Sequence, residues 1–443
     1  MKFKLGQKFL DIVRGKRNVK EIFPAIANIS YLIDEKKYKK YILSDFEDGL
    51  LRMRITNKCN AKCRYCGIQY WDEENQKLSM DSKVLYEYCK PLYEKAKILL
   101  LTGGDPLIAK ESSKYCNFIG DNYPELTLYY ETNGIAFSRT WQELSMKHLS
   151  IVHFSLNASN EEVYSKSCWD GDAGRAAYKK VHENLSSYMQ LLRDNNLEVF
   201  APDVSMVINK DNYFDIRDFV KYSLEMGLKF CMFYFDYTEN DMSSNYFGCP
   251  ETSRIALKEL MKLERVLAKK FFIYFRLWIP LAEVELLQPE VDAIPIEELR
   301  REYADVLELA KNRSMKQEYE LRQKIRKEHG KKTFTFEEDW TPTIHQTQVR
   351  NKNLCFAPFK EIDIYPNGTL ECCGWITPRI QLKDWIKENQ INWDELFNSS
   401  EMKEIRCKML NDDFSLCQKC CPLNSEFNEI CPPHKYGYDR EEE

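Results

Sequence analysis

Between Leu51 and about Leu281, short apolar runs alternate with stretches of helical periodicity. The spacing predicts strands at Leu51–Thr56, Ile98–Thr102, Leu126–Glu131, Ile151–Leu156, Val199–Ile208 and Leu228–Phe235. Between them it predicts helices over Ser82–Lys95, Ser112–Ile119, Trp141–Lys147, Ala173–Asp194 and Phe214–Met226. Strands that alternate with helices argue for βαβ units and a parallel sheet. Six such units suit a closed or partly closed barrel or an open doubly wound sheet, and periodicity does not separate these. A further helix over Glu251–Lys270 and a strand over Phe271–Leu281 follow.

Two later regions differ in character. Residues 296–330 are rich in Glu, Lys, Arg and Leu, and Leu299, Tyr303, Val306, Leu307 and Ala310 recur at helical spacing. One long helix or a helical hairpin ending at Gly330 is expected, as a structural insert or a substrate lid. Past Leu354, Glu361–Pro366 and Thr369–Cys373 flank Asn367-Gly368, a pair suited to a type I′ hairpin turn. The expected organisation is a helical extension (1–50), an α/β unit (51–281), a helical insert (282–350) and a small hairpin domain stapled by metal (351–443).

Composition narrows the class. The 443 residues are 44% hydrophobic and 30% charged, enough apolar material for a substantial core. A net charge of −5 gives no reason to expect nucleic acid. The basic stretches Lys36–Lys40 and Arg322–Lys332 are flanked by acidic residues and fit solvated helix faces. No apolar segment has the length of a signal peptide core or a membrane span, so a cytoplasmic protein without a membrane partner is expected.

The sixteen cysteines are unevenly placed: three lie within eight residues, eight lie from Cys355 to Cys431, and none falls between Pro250 and Leu354. Such clustering points to metal sites rather than disulfides. Cys59, Cys63 and Cys66 directly follow the first strand, with no fourth ligand nearby in sequence. A zinc site usually takes four protein ligands, whereas three thiolates suit a [4Fe–4S] cluster with one iron open to a small molecule.

This Cys-x3-Cys-x2-Cys loop resembles the signature of the radical S-adenosylmethionine superfamily. Three later segments are similar to family elements at strand ends: Thr102-Gly103-Gly104-Asp105-Pro106, Glu131-Thr132-Asn133-Gly134 and Ser155-Leu156-Asn157-Ala158. The first departs from the family's Gly-Gly-Glu-Pro by its Asp. The resemblance covers roughly residues 51–236 and implies a partial (β/α)6 TIM-type barrel with ligands at its C-terminal face. It implies S-adenosylmethionine bound to the cluster, with Gly103, Gly104 and Asp105 near its amino group. Ser155 and Asn157 would meet ribose or carboxylate, and Tyr65 and Val207 would lie beside adenine. Cleavage would yield a 5′-deoxyadenosyl radical that takes hydrogen from a substrate, with a flavodoxin or ferredoxin as reductant.

In the C-terminal region Cys355, Gly368, Cys373 and then Cys417-x2-Cys420 are similar to the twitch form of the SPASM domain. That resemblance implies one auxiliary [4Fe–4S] cluster on Cys355, Cys373, Cys417 and Cys420, with a zinc ribbon as the alternative. Cys407, Cys421 and Cys431 are near enough in sequence to serve as other ligands. Cys231 or Cys249 could return a hydrogen atom to a substrate radical, while Cys89 and Cys116 fit buried apolar positions. The six histidines show no ligand spacing and are expected to be structural. Only about 50 residues precede the cluster loop, short for the leader-binding domain of many peptide-modifying members. A small carbohydrate-like substrate is therefore expected ahead of a peptide. A zinc-binding, non-catalytic protein is the alternative of another class.

Overall fold

The computed structural model describes residues 46, 48–236, 249–275, 281–336, 339, 357–372, 379–410 and 415–416. The helical extension expected at the N-terminus, and Cys355, Cys373, Cys417, Cys420, Cys421 and Cys431, lie outside the described residues.

Seven parallel strands form the heart of the molecule: β1 (Gly49–Thr56), β2 (Ala96–Gly103), β3 (Thr127–Thr132), β4 (Ile151–Ser155), β5 (Asp203–Ile208), β6 (Phe230–Phe235) and β7 (Phe272–Tyr274). The crossovers are α1 (Lys90–Lys95), α2 (Ser112–Asn122), α3 (Arg139–Lys147), α4 (Glu161–Ser167) with α5 (Gly171–Asp194), α6 (Ile216–Met226) and α7 (Pro250–Leu267). The sheet order runs consecutively from β1 to β7. This is the α/β architecture expected from the alternation and the partial barrel implied by the family resemblance, with one strand more than six.

Side-chain alternation separates two faces. Leu51, Met53, Leu99, Leu101, Leu128, Tyr130, Val152, Phe154, Val204, Met206, Cys231 and Phe233 join the core beneath the helices. The intervening residues point inward. At the N-terminal end this inner face is apolar, with Leu50, Ile98, Leu100, Tyr129 and Ile151 packed around Phe334, and Phe230 and Met232 around Met315. Toward the C-terminal end it becomes polar and half-buried at Arg52, Arg54, Thr102, Glu131, Ser155 and Tyr234.

The insert lies against the N-terminal side of the barrel, its last helix and Phe334 closing the mouth while its earlier helices pack on the outer helices. It comprises α8 (Leu281–Asp292), α9 (Ile296–Glu302), α10 (Ala304–Leu309) and α11 (Met315–Glu328), not one long helix or a simple hairpin. Arg322 Nη1 donates to Val199 O (3.1 Å), Arg313 Nη1 to Leu228 O (2.5 Å), and Lys332 N to Glu125 O (3.3 Å). All three acceptors stand just before strands, so the insert lies opposite the strand ends that carry the motifs. That position fits a structural plug and not a substrate lid.

Arg322 and Arg326, expected on a solvated face, are each only 1% exposed. They converge with Lys229 on Asp339, at 2.6 Å from Arg322 Nη2, 3.4 Å from Arg326 Nη1 and 3.9 Å from Lys229 Nζ. Burial, partly offset by Asp339, drives the Lys229 ammonium down to about 7.

The C-terminal hairpin does not stand apart. Its first strand β8 (Glu361–Ile364) pairs in parallel with β1, placing Leu50 opposite Glu361 and Arg52 opposite Asp363. β9 (Thr369–Glu371) and β10 (Ile380–Gln381) continue the same sheet. The turn closes with Gly368 N donating to Tyr365 O (3.0 Å) and has only Gly368 at positive φ (78°), so it is not the type I′ turn expected, which needs Asn367 there as well. Arg54 grips Asp363 through Nε and Nη2 (3.2 and 2.9 Å) and stacks 4.4 Å over the Tyr365 ring. The two β1 arginines need counter-charge on the inner face, and β8 supplies it. Among the described residues no helix is long and apolar enough to cross a membrane.

The plug depends on one carboxylate facing three buried cations. Asp339→Asn should destabilise the fold by about 3–5 kcal/mol, since breaking a buried ion cluster strands its charges. Denaturant titration of the variant against the parent measures this.

Candidate active site

The loop after β1 carries Cys59, Cys63 and Cys66 at the C-terminal end of the sheet, where parallel barrels bind ligands. Cys59 is exposed at the loop surface and the other two are half-buried. All three stand on one loop of eight residues, and Cys66 N donates to Cys63 O (3.0 Å). Among the described residues no group of three ligands is already closed on a single point. The donor set nevertheless fits an iron–sulfur cluster: three soft thiols on one short loop, held at the strand ends.

The loop is held by the strand ends beside it. Gly103 has φ 126°, and a Cβ there would come within 2.2 Å of Thr56 O; one on Gly104 would stand 2.0 Å from Lys58 O. The glycines therefore admit the backbone that enters the cysteine loop, where a close approach to a ligand had been expected. Gly104 N donates to Thr56 O (2.7 Å) and Asp105 N to Lys58 O (2.8 Å).

Asp105 is fully buried. Oδ1 accepts from Leu107 N (2.9 Å), and Oδ2 accepts from Thr132 Oγ1 (2.8 Å) and Asn133 N (3.0 Å). Its visible work is to lock the end of β2 to the end of β3, which differs from the ammonium contact expected for its side chain. Burial raises its carboxyl above the ordinary value, against the opposing pull of those hydrogen bonds.

Asn133 completes the connection. Its Nδ2 donates to Asn60 Oδ1 (2.7 Å) and Cys59 Sγ (3.5 Å). The Thr-Asn-Gly segment was visible in the sequence, but its grip on the cysteine loop was not. At the end of β4, Ser155 is half-buried on the inner face. Asn157 is buried with φ 66°, and its side chain bridges Ser155 O (2.8 Å) and Val207 N (2.9 Å). Asn157 thus ties β4 to β5 with both ends of its amide, while Ser155 and half-buried Val207 face the open end.

Tyr65 is anchored by its hydroxyl, which donates to Cys168 Sγ at 3.1 Å. Cys168, at the C-terminal end of α4, is a fourth cysteine beside the cluster loop. It is fully buried, and its carbonyl accepts from Arg64 N (2.9 Å). Burial pushes its thiol up, but the bonds from Cys63, Tyr65 and Tyr164 and the Arg64 charge together hold it below the usual value. The contact with Cys168, with burial, raises the Cys63 thiol well above its usual value. Arg64 also pairs with Asp211 (2.8 Å), fastening the loop to the segment after β5.

Of the two hydrogen-donor candidates, Cys231 is misplaced. It lies on the outer face of β6 with its thiol bonded to Ser223 of α6, and burial pushes it up to about 12. A thiol beneath a helix cannot reach a molecule on the inner face. Cys249 is half-buried at the N-cap of α7. Cys89 and Cys116 are buried, as expected. His153, also expected to be structural, is buried on the inner face between Asp203 Oδ1 (2.6 Å) and Ser205 Oγ (2.8 Å).

A parallel partial barrel with a three-thiol loop at its strand ends defines a class of iron–sulfur proteins. Residues 53–223 match the family model described as Radical SAM superfamily, so this part of the chain is a Radical SAM domain. A GTP 3′,8-cyclase of Campylobacter curvus is 28% identical over 177 residues, covering 39% of this chain and 52% of that protein. A GTP 3′,8-cyclase of Sulfurimonas denitrificans is 26% identical over 219 residues, covering 48% and 62%. The chain thus spans between about half and three-fifths of these relatives. The crystal structure of Streptococcus suis SuiB bound to precursor peptide SuiA has TM-score 0.50 at 10% identity, covering 84% of this chain and 69% of that one. That likeness is one of fold.

The Asp105 lock is testable. Asp105→Asn turns one acceptor into a donor facing buried N–H or O–H groups and should cost about 1–3 kcal/mol. Thermal melts should show the loss, and iron retained after anaerobic reconstitution should fall as the cysteine loop loosens.

Proposed function

We propose that the chain is a radical S-adenosylmethionine enzyme acting on a small, hydroxyl-bearing molecule held on the inner face of the barrel. The observation that carries this reading is the attachment of the three-cysteine loop to the ends of β2 and β3 through Gly104, Asp105 and Asn133. Cys59, Cys63 and Cys66 would hold a [4Fe–4S] cluster and leave one iron for S-adenosylmethionine. When bound, that pair supplies one-electron cleavage of the sulfonium to a 5′-deoxyadenosyl radical able to take a hydrogen atom.

The remaining work falls to this chain's own groups. The backbone after Gly103 and the half-buried Ser155 and Val207 border the space beside the loop. Arg52, Arg54, Glu131, Tyr234 and Tyr274 line the half-buried upper inner face with hydrogen-bonding groups suited to a polar substrate. The plug beneath keeps water from entering through the N-terminal mouth. Glu361 stands deep on this face, where burial lifts its carboxyl to about 8 despite nearby Arg52.

Oxidation of a carbohydrate-like molecule, with an auxiliary [4Fe–4S] cluster on Cys355, Cys373, Cys417 and Cys420 as acceptor of the second electron, is the preferred outcome, beside redox-neutral epimerisation, which would return a hydrogen atom instead. The name of the relatives, GTP 3′,8-cyclase, favours a small molecule, since GTP carries a ribose. A peptide substrate is the second reading.

Anaerobic reconstitution followed by S-adenosylmethionine and dithionite should release 5′-deoxyadenosine and methionine. Cys59→Ala, Cys63→Ala and Cys66→Ala should each abolish that release. Iron should reach about eight per chain with two four-iron clusters, or about four if the auxiliary site is empty. Bound zinc without 5′-deoxyadenosine would sink the proposal. Hydroxyl-bearing small molecules, GTP among them, should raise the release above its background, whereas stimulation by peptides alone would favour the second reading.

A further inference from the structure

Resting on the reading that a hydroxyl-bearing molecule is oxidised on the inner face, we propose that Ser205 receives the substrate's hydroxyl proton and passes its own to His153, a positioning residue held by Asp203. Asp203 and Ser205 stand on the inner face of β5, since Val204 and Met206 turn to the core beneath the helices. On the adjacent β4, His153 is in register with Asp203, and Ser155 with Ser205. Ser205 is therefore level with Ser155, the half-buried residue that borders the open end. His153 joins the two β5 side chains, with Nδ1 2.6 Å from Asp203 Oδ1 and Nε2 2.8 Å from Ser205 Oγ.

Hydrogen counting gives the trio its direction. An ionised carboxylate only accepts, so the hydrogen between Asp203 and His153 sits on Nδ1. Neutral imidazole carries one hydrogen, which leaves Nε2 an acceptor, and the Ser205 hydroxyl then donates to it. The Ser205 oxygen keeps its lone pairs for a donor on the inner face, and a substrate hydroxyl is such a donor. A mere strap between β4 and β5 needs no acid. No donor among the described residues reaches the buried Asp203 Oδ2, and a half-matched buried carboxylate is costly unless a cation forms beside it. Protonated His153 is that cation. Burial lowers its basicity, but the charge and hydrogen bond of Asp203, with the charge of Glu131, outweigh this and raise it above the ordinary value. Glu131 flanks His153 in register on β3, while Tyr129, Arg52, Tyr234 and Glu361 share the inner face. Lys229 stands just below Asp203, its N donating to Pro202 O (2.9 Å).

Loss of a hydrogen atom from the carbinol carbon to the 5′-deoxyadenosyl radical leaves a carbon radical that still bears its hydroxyl. The O–H proton passes to Ser205 Oγ as the Ser205 proton passes to His153 Nε2. The remaining electron goes to a one-electron acceptor, the auxiliary iron–sulfur cluster proposed above, and the C–O bond becomes C=O. His153 leaves the step as an imidazolium paired with Asp203.

Wild type, His153→Gln, Ser205→Ala and Asp203→Asn are reconstituted anaerobically and given S-adenosylmethionine, dithionite and either hexoses or GTP. Carbonyl product, trapped with a hydrazine, is counted against 5′-deoxyadenosine. His153→Gln and Ser205→Ala should form at least about tenfold less carbonyl per 5′-deoxyadenosine, as expected for a lost acid–base group. Carbonyl formation in wild type should rise with pH through a limb above about 6.5, because neutral imidazole is the acceptor. Asp203→Asn removes the charge that raises His153, so the limb should fall by about one unit or more. Nitrogen NMR of protein labelled at its six histidines, with His153 assigned by its absence in His153→Gln, should show the same fall without substrate. An unchanged carbonyl ratio in His153→Gln or Ser205→Ala makes the trio a brace between strands and overturns the inference. A limb or NMR titration unmoved in Asp203→Asn overturns it as well. If His153→Gln does not fold, Ser205→Ala and the Asp203→Asn pH profile decide. Failure of the underlying reading is seen in wild type alone, as 5′-deoxyadenosine released with no carbonyl from any of these compounds, and the inference falls with it.

Discussion

The cysteine loop has no regular hydrogen-bonded structure of its own, so its shape must be imposed from outside. The imposing contact is Asp105, a buried carboxylate that accepts from Leu107, Thr132 and Asn133. It turns the ends of β2 and β3 into one rigid edge, and Gly103-Gly104 brings that edge against Thr56 and Lys58 with no room for a Cβ. Asn133 then reaches the loop itself at Asn60 and Cys59. A buried carboxylate is costly unless each oxygen is matched to a donor, and this matching makes the arrangement rigid. Three thiols on a loose loop would lose conformational entropy on each metal-binding event, whereas a loop fixed beforehand has already met much of that cost.

A second constraint gives the barrel its polarity. Parallel strands buried on both faces need cover at one end and access at the other. The insert provides the cover with Phe334 and Met315, and with a cationic cluster closed by Asp339. The upper inner face instead keeps Arg52, Arg54, Glu131 and Tyr234 half-buried. Pairing β8 beside β1 serves both ends, because Asp363 neutralises Arg54 without filling the opening. Apolar packing below and satisfied charge above leave one usable mouth, on the side of the cysteines.

Much of this was legible in the chain. Strand–helix alternation specified a parallel sheet, the family resemblance chose the barrel, and the motifs fell at the ends of β1 to β4. What escaped notice depends on contacts between distant residues. Arg322 and Arg326 look like a solvated face because charge patterning does not reveal a partner such as Asp339 across a loop, or a carbonyl such as Val199 O. The hairpin around Gly368 was visible from Asn367-Gly368, but its docking on β1 follows from the inward direction of Arg52 and Arg54. Cys168 was missed for the same reason: in sequence it is one isolated cysteine, and only folding brings it to the cluster loop.

The positions of the other cysteines show why spacing alone assigns function poorly. Cys231, Cys116 and Cys89 are as buried as Cys168, yet burial alone makes a thiol a small apolar residue. Burial pushes the Cys231 thiol up to about 12 with Ser223 as partner, and its face of β6 turns away from the inner surface. Cys168 differs in its company: two phenols and the Arg64 charge offset its burial, and a cluster thiol lies beside it. A cysteine becomes chemically relevant through the donors and charges around its sulfur. A thiol that ligates a metal gives up its proton, and three sulfurs that already share one short, anchored loop have less distance to close when a cluster forms.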